Sequence, residues 1–188
     1  MLKYLFCCYS NNRKRKRSTV TPIYNRDYNH EPIHAFIPLN LNPRKIEKFI
    51  PIIKIARVIK VYDGDTITVA AYYPSHKECK LYKFSVRLYG IDCPEMRGGS
   101  SAERNAAVIA RDFLHDLLYN QLIQLNNISL DKYGRLLADV KLGDISCSEL
   151  LIEKRLAVKY DGKQKHTPSN WLHYFKYGIT EPIPIDTI

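Results

Sequence analysis

Between residues 52 and 90 the chain places three apolar segments in close succession, each alternating at a period of two. IIKIARVIKVY (52–62) is rich in β-branched residues, TITVAAYY (66–73) sets Ile67, Val69 and Ala71 on one face, and LYKFSVRLYG (81–90) alternates again. Alternation over this length is the signature of half-buried strands. DGD (63–65) is a turn between the first two segments, and PSHKECK (74–80) is a polar connection before the third. The expectation is a three-strand meander, which needs more strands or helices to cover it.

The rest of the chain supplies them. Ser100 and Glu103 have capping-box spacing. Behind them Ile109, Phe113 and Leu117, with Ala110, Leu114 and Leu118, recur at helical spacing. LIQLNNISL (122–130) and LLADVKL (136–142) read as two more strands joined by DKYGR. Ser146 and Glu149 repeat the cap spacing before a second helix running to about Leu156, and a third short helix starts near Ser169 with Trp171, Leu172 and Phe175. Three strands, a helix, two strands and a helix predict an α+β fold: a five-stranded OB-type β-barrel with two or three packed helices.

Residues 51–188 hold this domain. Residues 1–50 read instead as a basic, largely irregular tail, with RKRKR at 13–17 and prolines at 22, 32, 38 and 43; NPRKIEKFI (42–50) offers one or two helical turns opening on Asn42 and Pro43. The tail carries +7 of the formal net charge of +10. That balance selects an anionic partner, a nucleic acid or an anionic membrane, without choosing between them. No apolar run approaches the ~20 residues that span a bilayer, and MLKYLFCC is too short for a signal-peptide core. Five scattered cysteines without a CxxC form neither a disulfide framework nor a zinc site. The expectation is an intracellular protein, monomeric, with free thiols.

The chemistry concentrates at the strand ends. Val86 and Leu88 share the core face of their strand, so Arg87 points the other way. Asp92 lies in the following turn, and Cys93 precedes a proline, which favours extended backbone and an outward carbonyl. With Asp65 these make an incomplete set of hard oxygen ligands, suited to Ca²⁺ or Mg²⁺ if water and a substrate phosphate complete the shell. Glu95 is placed to act on an attacking water. Arg87 and Arg135 offer forks for phosphate oxygens.

VYDGDT (61–66), RLYGIDCPE (87–95) and DKYGR (131–135), in this order, resemble the signature segments of the staphylococcal nuclease (thermonuclease) family. The resemblance is strongest over 52–160. It implies Asp65, Asp92 and the Cys93 carbonyl as Ca²⁺ ligands, Glu95 as the group acting on water, and Arg87 and Arg135 as catalytic phosphate clamps. It also implies Lys132, Tyr133 and, more loosely, Tyr160 as substrate contacts. The implied activity is hydrolysis of DNA or RNA with little sequence preference, leaving a 5′-hydroxyl and a 3′-phosphate. The alternative is a non-catalytic nucleic-acid- or protein-binding module of the same fold. Three departures stand out: MRGGSSAE (96–103) is shorter than the family's flexible loop, Arg155 sits at a helix end where glycine turns more easily, and the chain after Tyr160 matches poorly.

Two other motifs need weighing. HEPIH (30–34) matches the H-E-x-x-H zinc pattern in letters only, because Pro32 opposes the helix that would align its histidines. Cys7 and Cys8 beside the 13–17 basic run fit membrane attachment by acylation, with a nuclear address or a solvated tail as alternatives.

Overall fold

The computed structural model describes residues 37–74, 79–163 and 167–178. The readings made on Cys7, Cys8, the 13–17 basic run and HEPIH lie outside the described residues. The chain divides into two compact units, Met1–Glu47 and Lys48–Ile188. In the described part of the first, a 3-10 turn at Pro43–Lys45 is capped by Asn42, whose side chain accepts from the Arg44 N–H.

The second unit is built on β1 (Ile55–Val61), β2 (Thr66–Tyr73) and β3 (Lys80–Leu88), paired antiparallel as a meander. Short β4 (Ile91–Asp92) leads to α1 (Ser101–Leu118). Then follow β5 (Leu122–Leu130), β6 (Leu136–Leu142), β7 (Ile145–Ser146), α2 (Cys147–Glu153), β8 (Val158–Lys159) and α3 (Trp171–Tyr177). β5 joins β1 on one side and β6 on the other. The sheet closes where β6 runs parallel to β3, with Val86 opposite Leu136 and Leu88 opposite Ala138. The result is a closed five-stranded mixed barrel carrying three helices, the expected architecture.

Alternation dictates what fills it. Val58, Ile67, Val69, Val86, Ile123 and Val140 point inward and are buried, and α1 closes one end with Ala107, Ala110, Leu114 and Leu118. The helical stripe holds at Ala110, Leu114 and Leu118, which are buried, and at Phe113 and Leu117, which pack against the core; Ile109 alone of the six is exposed, and Ala106 and Ala107 extend the inner face towards the N-terminus of α1. The first strand starts at Ile55 rather than at 52, and α2 stops at Glu153. Both cap serines act as expected, Ser100 accepting from the Glu103 N–H at 3.1 Å and Ser146 from the Glu149 N–H at 3.4 Å. Arg155 does adopt left-handed backbone (φ 57°). Its guanidinium donates to the Lys176 carbonyl in the last turn of α3, a favourable place for a cation.

Candidate active site

The turn between β1 and β2 carries Asp65 into the barrel wall. Gly64 makes this possible: a Cβ there would stand 2.9 Å from the Ala110 Cβ and 3.0 Å from the Cβ and Sγ of Cys93. Only a residue without a side chain lets the turn lie against α1 and the segment after β4. Asp65 is thereby almost fully buried, as is Asp92 at the end of β4.

Arg87 stands between the two carboxylates. Its register position opposite Thr66 turns it to the outer face of the barrel. There Nη1 pairs with Asp65 Oδ1, and Nη2 donates to Asp92 Oδ1 at 3.1 Å and to the Ile91 carbonyl at 3.2 Å. Thr66 Oγ1 donates to Asp65 Oδ1 at 2.9 Å, and the Cys93 N–H to Asp65 Oδ2 at 3.4 Å. Burial pushes the Asp65 carboxyl up to about 6, with Arg87 opposing the rise and Asp63 adding to it. Burial disfavours the Arg87 cation, but Asp65 and Asp92 outweigh it and hold its pKa above the usual value. The Cys93 thiol is pushed well up, first by burial and then by Asp65.

The second arginine comes from the loop between β5 and β6. Asp131 accepts from the Tyr133 N–H at 2.8 Å, the Arg135 N–H at 2.9 Å and Arg135 Nε at 2.6 Å. One carboxylate thus folds the loop and aims the guanidinium. Arg135 Nη1 reaches Thr66 Oγ1 at 3.3 Å, which joins the two halves of the site. Slight burial raises the Asp131 carboxyl, and the hydrogen bonds from Arg135 and Tyr133 more than reverse this, leaving it below the usual carboxylate range. Tyr133 is 73% exposed, with the Lys132 ammonium and the Arg135 guanidinium over its ring at 5.0 and 5.6 Å.

These residues line one cleft of ≈530 Å³. Its walls include Asp65, Arg87, Cys93, Glu95, Lys132, Tyr133, Arg135 and Tyr160. Asp92 lies just behind, bound to Arg87. All nine residues singled out in the sequence therefore meet in one place, Tyr160 included; the backbone hydrogen bond from its N–H to the Gly90 carbonyl draws it in. Sequence reasoning missed Asp131 and Thr66, which orient the arginine and the first carboxylate. It also missed a second contact of Glu103: besides sitting at the expected cap position, its Oε1 faces the Glu95 N–H at 3.5 Å and so reaches the Glu95 loop. The short spacing from Glu95 to Glu103 was the available signal.

The donor set is all oxygen and anionic, which fits a hard divalent cation rather than a soft one. Among the described residues no group of three or more His, Cys, Asp or Glu side chains is placed to hold a metal ion. Asp65 and Asp92 would supply only part of a shell, with water and substrate oxygens completing it.

Comparison with known families matches residues 85–176 to the family described as Staphylococcal nuclease homologue. The match runs past Tyr160 through most of α3, further than the motifs suggested, and begins after Asp65. The chain is similar to a Schizosaccharomyces pombe protein named a probable endonuclease, 36% identical over 85 residues, which cover 42% of this chain and 37% of that one. It is also similar to the thermonuclease of Staphylococcus hyicus, 35% identical over 103 residues, covering 54% of this chain and 56% of the other. The chain therefore spans well under two thirds of either relative. The closed barrel, the ordered motifs and the match over residues 85–176 agree in making this chain similar to the staphylococcal nuclease family.

Proposed function

We propose that the protein is a Ca²⁺-dependent endonuclease that hydrolyses phosphodiesters in DNA or RNA with little sequence preference. The observation that supports this reading is one cleft lined by the buried Asp65, two arginines and Glu95, with the buried Asp92 behind it on Arg87. Asp65, Asp92 and the Cys93 carbonyl would hold the cation, which supplies positive charge against the scissile phosphate. Glu95, exposed at the cleft wall, takes a proton from the attacking water. The water oxygen bonds to phosphorus as the bond to the 5′-oxygen breaks, leaving a 5′-hydroxyl and a 3′-phosphate. Arg135, aimed by Asp131, holds a non-bridging oxygen where negative charge grows. Arg87 takes the same role once it gives up part of its hold on the two aspartates. Lys132, Tyr133 and Tyr160 contact the flanking nucleotide.

On this reading the protein acts as a monomer, with attachment to a membrane through Cys7, Cys8 and the basic run compatible with the same chemistry. The test is digestion of single-stranded DNA, duplex DNA and RNA by the purified chain with Ca²⁺, Mg²⁺ or chelator, beside Glu95→Ala. Ca²⁺-dependent cleavage that Glu95→Ala reduces at least a hundredfold is expected. Binding without cleavage in every metal would replace the enzyme with a binding module.

A further inference from the structure

The outer face of β1, β2 and β3 leads away from the cleft. These three strands, 24 residues in all, contain five Lys or Arg and no Asp or Glu. Register sorts them by row. Thr66 and Arg87 form the row at the cleft. One step out, Thr68 lies between Lys60 and Ser85. A further step out, Ala70 lies between Arg57 and Lys83, and Tyr72 follows opposite Leu81. A trough floored by the short side chains of the middle strand is thus walled by cations on both sides. Four strand residues separate its first and third rows, roughly 13 Å.

The bland reading of such residues is a solvated sheet face, and ion pairing discriminates. Arg111 and Lys154 elsewhere pair with adjacent carboxylates. Among the described residues Arg57, Lys60 and Lys83 form no ion pair, although all three are exposed. Arg57 is held instead by the Asn120 carbonyl at 2.6 Å, and the Lys60 ammonium lies 5.8 Å from the centre of the Tyr62 ring. Like charges facing one another across a single strand repel unless an anion lies between them. Tyr62 and Tyr72 are 48% and 63% exposed, Tyr62 with the Lys60 ammonium over its ring.

We propose that this trough is the path of an unpaired nucleic-acid strand beyond the scissile phosphate. Arg57, Lys60 and Lys83 meet successive phosphates, and Tyr62 and Tyr72 offer faces for bases. The inference rests on the nuclease reading of the cleft and extends it to the length of substrate engaged.

The test compares the full-length chain with Lys60→Glu/Lys83→Glu. Binding of a labelled thymidine oligonucleotide of about twelve nucleotides is measured by anisotropy in chelator, over a range of salt. Cleavage of a thymidine dinucleotide is measured with Ca²⁺. A second pair, Lys141→Glu/Lys176→Glu, makes the same charge change on exposed residues outside the trough. The expected result is at least a tenfold loss of oligonucleotide affinity in the first pair only. Its salt slope should be shallower by about 1.4, the value for two phosphate contacts on a single strand, with dinucleotide cleavage unchanged. Unchanged oligonucleotide binding, or an equal loss in the second pair, overturns the track. A same-length duplex that loses affinity equally overturns its assignment to an unpaired strand. If the wild type cleaves nothing in any metal while the binding loss stays confined to the first pair, the track stands and the nuclease reading falls.

Discussion

Arg87 is the counter-ion of two buried carboxylates, and this makes it structural as well as chemical. Its side chain is 15% exposed, and it neutralises Asp65 and Asp92 together. Removing one partner of a buried ion pair leaves charge without compensation. Arg87→Gln is therefore expected to lower metal-free stability by about 3–5 kcal/mol, measured by urea unfolding; a loss below 1 kcal/mol would contradict the role. Asp131 works at the same scale with the opposite exposure to acid. Its folded pKa lies below the unfolded value of about 3.9. The stabilisation it contributes is present above that value and lost as pH falls through the folded one. The melting-temperature gap between wild type and Asp131→Asn should be widest near pH 7 and shrink as pH falls through the folded value, below the usual carboxylate range. A gap that widened in acid would refute this. The partnership of Arg87 with Asp65 is not legible from residue order alone. Asp65 and Arg87 meet through the register of β2 on β3. Asp131 could have been read as the cap of its own loop, since it bonds within four residues.

At the scale of elements, local signals sufficed wherever an element is regular and bounded by turn residues. β2, β5 and β6 begin and end where alternation begins and ends. The phase of α1 was legible from Ala110 onward, but its buried start was not, because Ala106 and Ala107 are small and register weakly beside Ile109. Barrel closure by β3 and β6 has no local signature, as parallel neighbours are joined by everything between them. Gly64 packs close against Ala110 and Cys93, where an added Cβ would stand 2.9–3.0 Å from them. Gly64→Ala must force the turn away from them, at about 1–3 kcal/mol for overpacking, and must move Asp65 with it. Urea unfolding and metal-dependent cleavage should both suffer. A variant with wild-type values of both would show that the turn has room to spare.

For the whole molecule, charge and core are carried by different parts of the chain. Among the described residues the core begins at Ile53, whereas residues 1–50 carry +7 of the +10. Removing 1–50 should therefore leave the melting temperature within a few degrees of wild type. Elution from heparin should shift to markedly lower salt, and an unchanged elution point would place the polyanion affinity on the barrel instead. The close approach at Gly64 also gives the molecule a stopwatch. Cys93 is buried beside the β1–β2 turn with its thiol held protonated, Cys147 is buried elsewhere in the core with its thiol pushed up to about 11 by burial, and Cys79 is open to solvent. Under native conditions a maleimide should mark Cys79 within minutes, while Cys93 reacts only when the floor of the cleft lifts away from α1. Labelling at Cys93 that outpaces Cys147 would time the breathing of the site separately from unfolding of the barrel, with no foreign probe attached.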